Sequence, residues 1–105
     1  MDIILVKFKN NLREGKGIYY YNNGNKYEGE HKNNKREGKG IFYYNNGQWK
    51  GDRYEGDFKN GKKEGKGIYY FNNGNREMGD YLNGKAIGKH VVLTFNGEVK
   101  TKIYN

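Results

Sequence analysis

One stretch of eleven residues comes back along the chain, and it limits the fold more than any other feature. Glu14 to Gly24 reads EGKGIYYYNNG, Glu37 to Gly47 reads EGKGIFYYNNG, and Glu64 to Gly74 reads EGKGIYYFNNG. A worn copy, IGKHVVLTFNG, runs from Ile87 to Gly97. The copies begin at 14, 37, 64 and 87, spaced by 23, 27 and 23 residues. A period of this size marks a repeat protein in which each unit is one supersecondary element.

Composition alone points elsewhere. Leu, Ile, Val and Phe make up roughly a fifth of the chain and the net charge is +8, a balance that leans towards disorder. Yet 16% of the residues are aromatic, and they stand at fixed offsets from glycine. A disordered tract has no reason to keep such offsets. Most of the apolar material is Tyr, which buries a ring and keeps its hydroxyl wet, so the core is expected to be thin.

Each unit reads as two short strands. The first is Lys16–Tyr21, with counterparts Lys39–Tyr44 and Lys66–Phe71, rich in β-branched and aromatic residues. Asn22-Asn23-Gly24 follows, a hairpin signal. The second strand is Lys26–Lys32, with counterparts Arg53–Lys59 and Arg76–Leu82. A second polar turn, Asn33–Glu37 or Asn60–Glu64, leads onward. Alternation without a helical period and without room for a crossover helix implies an antiparallel meander. The expected fold is all-β: an elongated, single-layer antiparallel sheet of stacked β-hairpins in about four units. Two strands per unit at about 4.8 Å each give a strip on the order of 45 Å long.

The 105 residues form one domain on this reading. Residues 1–13 are a half-unit and cap, 14–36, 37–63 and 64–86 are repeats, and 87–105 are a degenerate repeat with a closing strand. Parity selects the hairpin loop. A loop of odd length, three or five residues, puts Gly17, Tyr19 and Tyr21 on the face shared by Tyr27, Gly29 and His31. Rings can then lie over the bare backbone of strand glycines. Four extra residues separate Gly47 from Tyr54, and Trp49-Lys50-Gly51-Asp52 echoes Tyr54-Glu55-Gly56-Asp57. This insertion at 48–52 is either a local duplication or a protruding loop that carries the sole Trp.

The stretches KYEGEHKNNKREGKGIFYYNNG and RYEGDFKNGKKEGKGIYYFNNG resemble the MORN (membrane occupation and recognition nexus) repeat, with its Tyr-x-Gly-x-aromatic, Gly-x-Gly and Asn-Gly positions. The resemblance covers about residues 4–97. It implies a twisted sheet of stacked hairpins and a structural or protein-binding role. It implies no catalytic residue.

The residues themselves offer little chemistry. There is no Cys and no Ser, which excludes disulfides, thiolate metal sites and both common nucleophiles. His31 and His90 lack a companion ligand and read as strand residues at an edge or surface. Glu14, Glu37 and Glu64 recur at a turn and read as solvated. Gly15-Lys16-Gly17 precedes no helix and matches no nucleotide fingerprint. No cofactor and no metal is expected, and the chain is read as a non-enzyme. The run Ile3–Val6 is too short for a signal-peptide core, and nothing reaches membrane-span length. The expected location is cytoplasmic, with association to cytoskeleton or membrane as a variant.

Two candidate surfaces emerge. A partner protein, or a second copy, would lie along an aromatic groove of Tyr19, Tyr21, Phe42, Tyr44, Tyr69 and Phe71, extended by Trp49. Alternatively, lysine rows (Lys16, Lys39 and Lys66, with Lys35, Arg36, Lys62 and Lys63) would meet an acidic lipid surface. Small-inhibitor action by occluding another protein's site is a further alternative. Nucleic acid is disfavoured because 12 acidic residues interrupt the positive charge.

Overall fold

The computed structural model describes residues 1–105. It holds nine strands: β1 Ile3–Lys9, β2 Leu12–Tyr20, β3 Lys26–Lys32, β4 Lys35–Tyr43, β5 Arg53–Lys59, β6 Lys62–Tyr70, β7 Arg76–Leu82, β8 Lys85–Leu93 and β9 Val99–Tyr104. They form one sheet in sequence order, every neighbour antiparallel. The only helical element is a 3-10 turn at Gly47–Trp49. The molecule measures 47 × 24 × 19 Å, close to the length that strand spacing predicts.

The register agrees with the odd loop. Tyr20 pairs with Lys26, Tyr19 with Tyr27 and Gly17 with Gly29, leaving a five-residue loop, 21–25. The Tyr21 N–H donates to the Asn25 carbonyl at 2.9 Å, and the Gly24 N–H to the Tyr21 carbonyl at 3.0 Å.

The other turn is tighter than its sequence suggests. Pairing resumes at Lys35 and Lys62, not after Glu37 and Glu64, because Asn33-Asn34 and Asn60-Gly61 turn in two residues. Both residues of each turn take positive φ, 51° and 68° in the first and 51° and 82° in the second. This geometry follows the right-handed strand twist and suits Asn and Gly. The polar segment Arg36–Lys39 therefore lies inside β4. It contains a bulge: His31 pairs with Arg36 and Gly29 with Gly40, so Glu37, Gly38 and Lys39 together face Glu30. Gly38 sits at φ 75° and its repeat-mate Gly65 at φ 74°, which is why the motif needs glycine there.

Only 11 residues are buried, five of them hydrophobic, so the core is a single file of rings on one face. Tyr27 and Tyr54 are fully buried. The Tyr27 ring covers Gly29 and Gly40, and Tyr54 covers Gly56 and Gly67. Phe58 stands edge-on between them, 5.1 Å from Tyr27 and 5.2 Å from Tyr54 by ring centroids. Tyr54 meets Tyr81 edge-on at 5.1 Å, and Tyr81 meets His90 at 5.4 Å. Edge-to-face contacts of this kind are each favourable by about 0.5–1.5 kcal/mol beyond area burial.

The ends use substitutes. Val6 occupies the seat over Gly17, and His90 that over Gly79. Both histidines are thus interior, with His31 at 4% and His90 at 0% exposure, which corrects their reading as surface residues. Each replaces a ring or glycine in a seat the repeat has already built.

Candidate functional site

Beside the buried file runs a second row of rings on the same face. Tyr19 and Tyr21 lie 4.4 Å apart by centroids, Tyr21 and Phe42 5.7 Å, and Phe42 and Tyr44 4.9 Å. Tyr44 and Tyr69 are 5.9 Å apart, and Tyr69 and Phe71 4.8 Å. All six are half-buried. Each unit contributes two because residues alternate through β2, β4 and β6 and the loop carries the second ring onward on the same side. The six groove residues named from sequence are therefore brought together, in order, with no break.

Trp49 stands at the far end, half-exposed. With Tyr44, Tyr69, Phe71, Tyr81 and Tyr104 it lines a cavity of about 410 Å³, into which Lys63, Lys102 and Glu77 also project. The insertion thus places its Trp beside the row. It also delivers Asp52, which is buried and accepts from the Tyr69 hydroxyl at 2.8 Å and the Asn72 N–H at 2.7 Å. Burial and this Asp52 bond both push the Tyr69 phenol pKa upward.

Asp52 belongs to a repeated device that sequence reading missed. Asp2 accepts from the Tyr19 hydroxyl at 2.7 Å and the Asn22 N–H at 2.6 Å. Asn25 accepts from the Asn45 N–H at 2.9 Å, and Asn75 from the Phe95 N–H at 3.0 Å. Asp2 ties the start of the chain to the first hairpin loop, and Asn25, Asp52 and Asn75 each tie one hairpin loop to the next, which fixes the row's spacing. The available signal was an Asp or Asn two residues before the Tyr-x-Gly position, at 2, 25, 52 and 75.

The basic residues divide. Arg36 and Lys63 enter the aromatic face: the Arg36 guanidinium lies 5.0 Å from the Phe42 centroid, and the Lys63 ammonium 5.2 Å from that of Tyr69. Arg13, not singled out from sequence, holds the same place against Tyr19 at 4.9 Å. Such cation–π contacts fix the cations among the rings. Lys35 and Lys62 are exposed at the turns. Lys16, Lys39 and Lys66 lie on the opposite face, each across from an acid: Glu30, Asp57 and Asp80. Lys39 and Asp57 approach to 3.0 Å, and Lys66 and Asp80 to 4.0 Å. That face carries alternating charge, not a bare basic row.

Glu14 and Glu37 are half-buried rather than solvated; they accept the Asn33 N–H at 3.3 Å and the Asn60 N–H at 2.8 Å from the neighbouring turn.

The last unit departs from the pattern. Glu77 takes the place of the seat-filling Tyr, and its carboxylate is buried 2.9 Å from His90 Nδ1. Nδ1 makes no aligned hydrogen bond there. The Tyr104 hydroxyl donates to the same carboxylate at 2.5 Å, and His90 Nε2 donates to the Asp80 carbonyl at 2.9 Å. Burial first, then the Glu77 bond, raises the Tyr104 phenol. The group closes the end of the ring file.

No set of three or more His, Cys, Asp or Glu side chains could hold a metal ion. No helix is long and apolar enough to cross a membrane. A family model described as the MORN repeat matches residues 7–26, 27–49 and 54–76. No curated protein matches the chain.

Proposed function

Since the chain belongs to the MORN-repeat family, whose repeats are generally protein- or membrane-interaction modules, we propose that it is a non-enzymatic module that binds a segment of another protein along its aromatic row. The unbroken contact from Tyr19 to Phe71 carries this reading. Half-buried rings in line offer rigid apolar area at little entropic cost, a character typical of binding hot spots. The Trp49 cavity at one end supplies a pocket for an anchoring side chain. Arg36 and Lys63, held among the rings, favour a segment that carries acidic groups between its apolar ones. The lysines at 16, 39 and 66 support an anionic lipid surface less, because each faces an acid.

The test is affinity capture with the full chain, followed by calorimetry on the captured partner. Tyr44→Ala and Phe71→Ala each weaken binding more than the Lys39→Ala, Lys66→Ala pair, and binding persists at high salt. The reverse ranking, or loss of binding at high salt, makes charge the dominant attraction and removes the aromatic row as the seat.

A further inference from the structure

His31 is the anomaly of the buried file. Its repeat-mates are Phe58 and Tyr81, so a hydrocarbon ring suffices structurally at this position. His31 is 4% exposed, and neither ring nitrogen has a hydrogen-bond partner. The Gly15 and Gly29 carbonyls lie near enough to pull weakly on the ring, yet neither is aligned as an acceptor. A buried polar group left unpaired is costly, and the next unit shows how easily the chain avoids it.

The side chains around the ring are mostly cationic. His31 opens on a cavity of about 190 Å³ shared with Arg13, Arg36, Lys35, Tyr19 and Tyr21. Arg36 is its direct cross-strand partner. Arg13 Nε is also buried without a partner, although another guanidinium nitrogen donates to the Asn34 carbonyl. Arg36 likewise spends one nitrogen on the Gly61 carbonyl. No carboxylate lines the cavity. Three cations therefore border one small space that no carboxylate lines, and the unpaired His31 ring packs against it with both nitrogens covered.

We propose that this cavity is an anion seat that takes the phosphoryl group of a phosphate monoester. A carboxylate has two oxygens, fewer than the donors gathered here. A phosphoryl dianion has three and accepts charge-assisted bonds from guanidinium, imidazole and ammonium together. The Tyr19 and Tyr21 rings at the rim give the esterified group a surface to lie on. The seat shares Arg36 and the Tyr19 and Tyr21 rings with the aromatic row, whereas His31 and Arg13 Nε, buried beside it, belong to the seat alone.

The same cavity one repeat along, lined by Arg36, Lys63 and Phe58, has no buried nitrogen to satisfy and serves as an internal comparison. It also indicates substitutions the fold already accommodates: His31→Phe copies Phe58, and Arg13→Ala copies Ala86. Calorimetry and ring-nitrogen NMR on the full chain would use inorganic phosphate, phenyl phosphate, acetate, and phosphatidylcholine vesicles with or without phosphatidic acid. Saturable binding of the two soluble phosphates is expected, with the His31 ring signals shifting and acetate weaker. His31→Phe and Arg13→Ala each lose about tenfold or more in phosphate affinity, the usual effect of deleting a charge-assisted bond. His31→Phe melts no lower than the parent protein when phosphate is absent. The proposal is overturned by unchanged phosphate binding in His31→Phe, by acetate binding as well as phosphate, or by binding to vesicles alone.

Discussion

Gly40 and Gly67 show at the smallest scale how this chain holds together with so little aliphatic material. A Cβ at either position would run into the fully buried ring of Tyr27 or Tyr54. Gly40→Ala or Gly67→Ala should therefore destabilise by about 1–3 kcal/mol as overpacking, measured by urea unfolding. Asp52 offers a second case. Asp52→Ala leaves the Tyr69 hydroxyl and the Asn72 N–H without their acceptor and should cost about 1–3 kcal/mol. Asp52→Asn should recover much of that, because Asn25 and Asn75 already tie their loops with an amide oxygen. Titration adds a third. Burial first, then the Arg13 and Arg36 charges, holds His31 below its usual value. The folded state resists that proton, so its contribution is present above about pH 6.5 and falls away as pH drops through the folded value. In phosphate-free buffer, His31→Phe should flatten the loss of stability between about pH 7 and pH 5.

At the scale of the element, the two turns of each unit do different work. Asn33-Asn34 and Asn60-Gly61 reverse the chain tightly, while the five-residue loop sets which face the rings occupy. Inserting one residue into that loop would send the following strand's rings to the other side. The insertion at Gln48–Gly51 adds length without this penalty. It folds as a 3-10 turn that returns Asp52 to the place of Asn25, and Tyr54 still pairs with Phe42. Deleting residues 48–51 should leave the sheet's circular dichroism unchanged and weaken partner binding through loss of Trp49. Collapse of the fold on deletion would show the loop to be structural instead.

The whole molecule is a strip with one face of rings packed over glycines and a second face that mixes paired charges with Ile18, Ile41, Ile68 and the cation-covered rings of Tyr43 and Tyr70. Its stability is concentrated in phenols. Burial raises Tyr27, Tyr54 and Tyr81, and burial with the Asp52 bond raises Tyr69. A phenol whose folded value lies above the usual value of about 10 contributes fully below that pH, and the contribution is lost as pH climbs through the folded value. Alkaline titration followed at the phenolate absorbance should show these four of the 11 tyrosines ionising only as the sheet unfolds. Ionisation of all of them before unfolding would show the ring file to be open to water.

Much of this strip was legible in the residues. Recurrence at 14, 37 and 64, the alternation of Tyr with Gly and the Asn-Gly pairs determine an antiparallel meander, its length and the face its rings share, because a strand's period of two admits no other arrangement once the loop parity is set. Three features were decided only in three dimensions. The bulge at Glu37-Gly38-Lys39 moved the turn, Asp and Asn side chains reached across to loops 20 residues away, and His31, Arg13 and Arg36 met in one cavity from three strands. Local pattern specifies what neighbours along the chain must do. Which side chains share a space depends on strand register and on bulges, and those arise only when the strands pair.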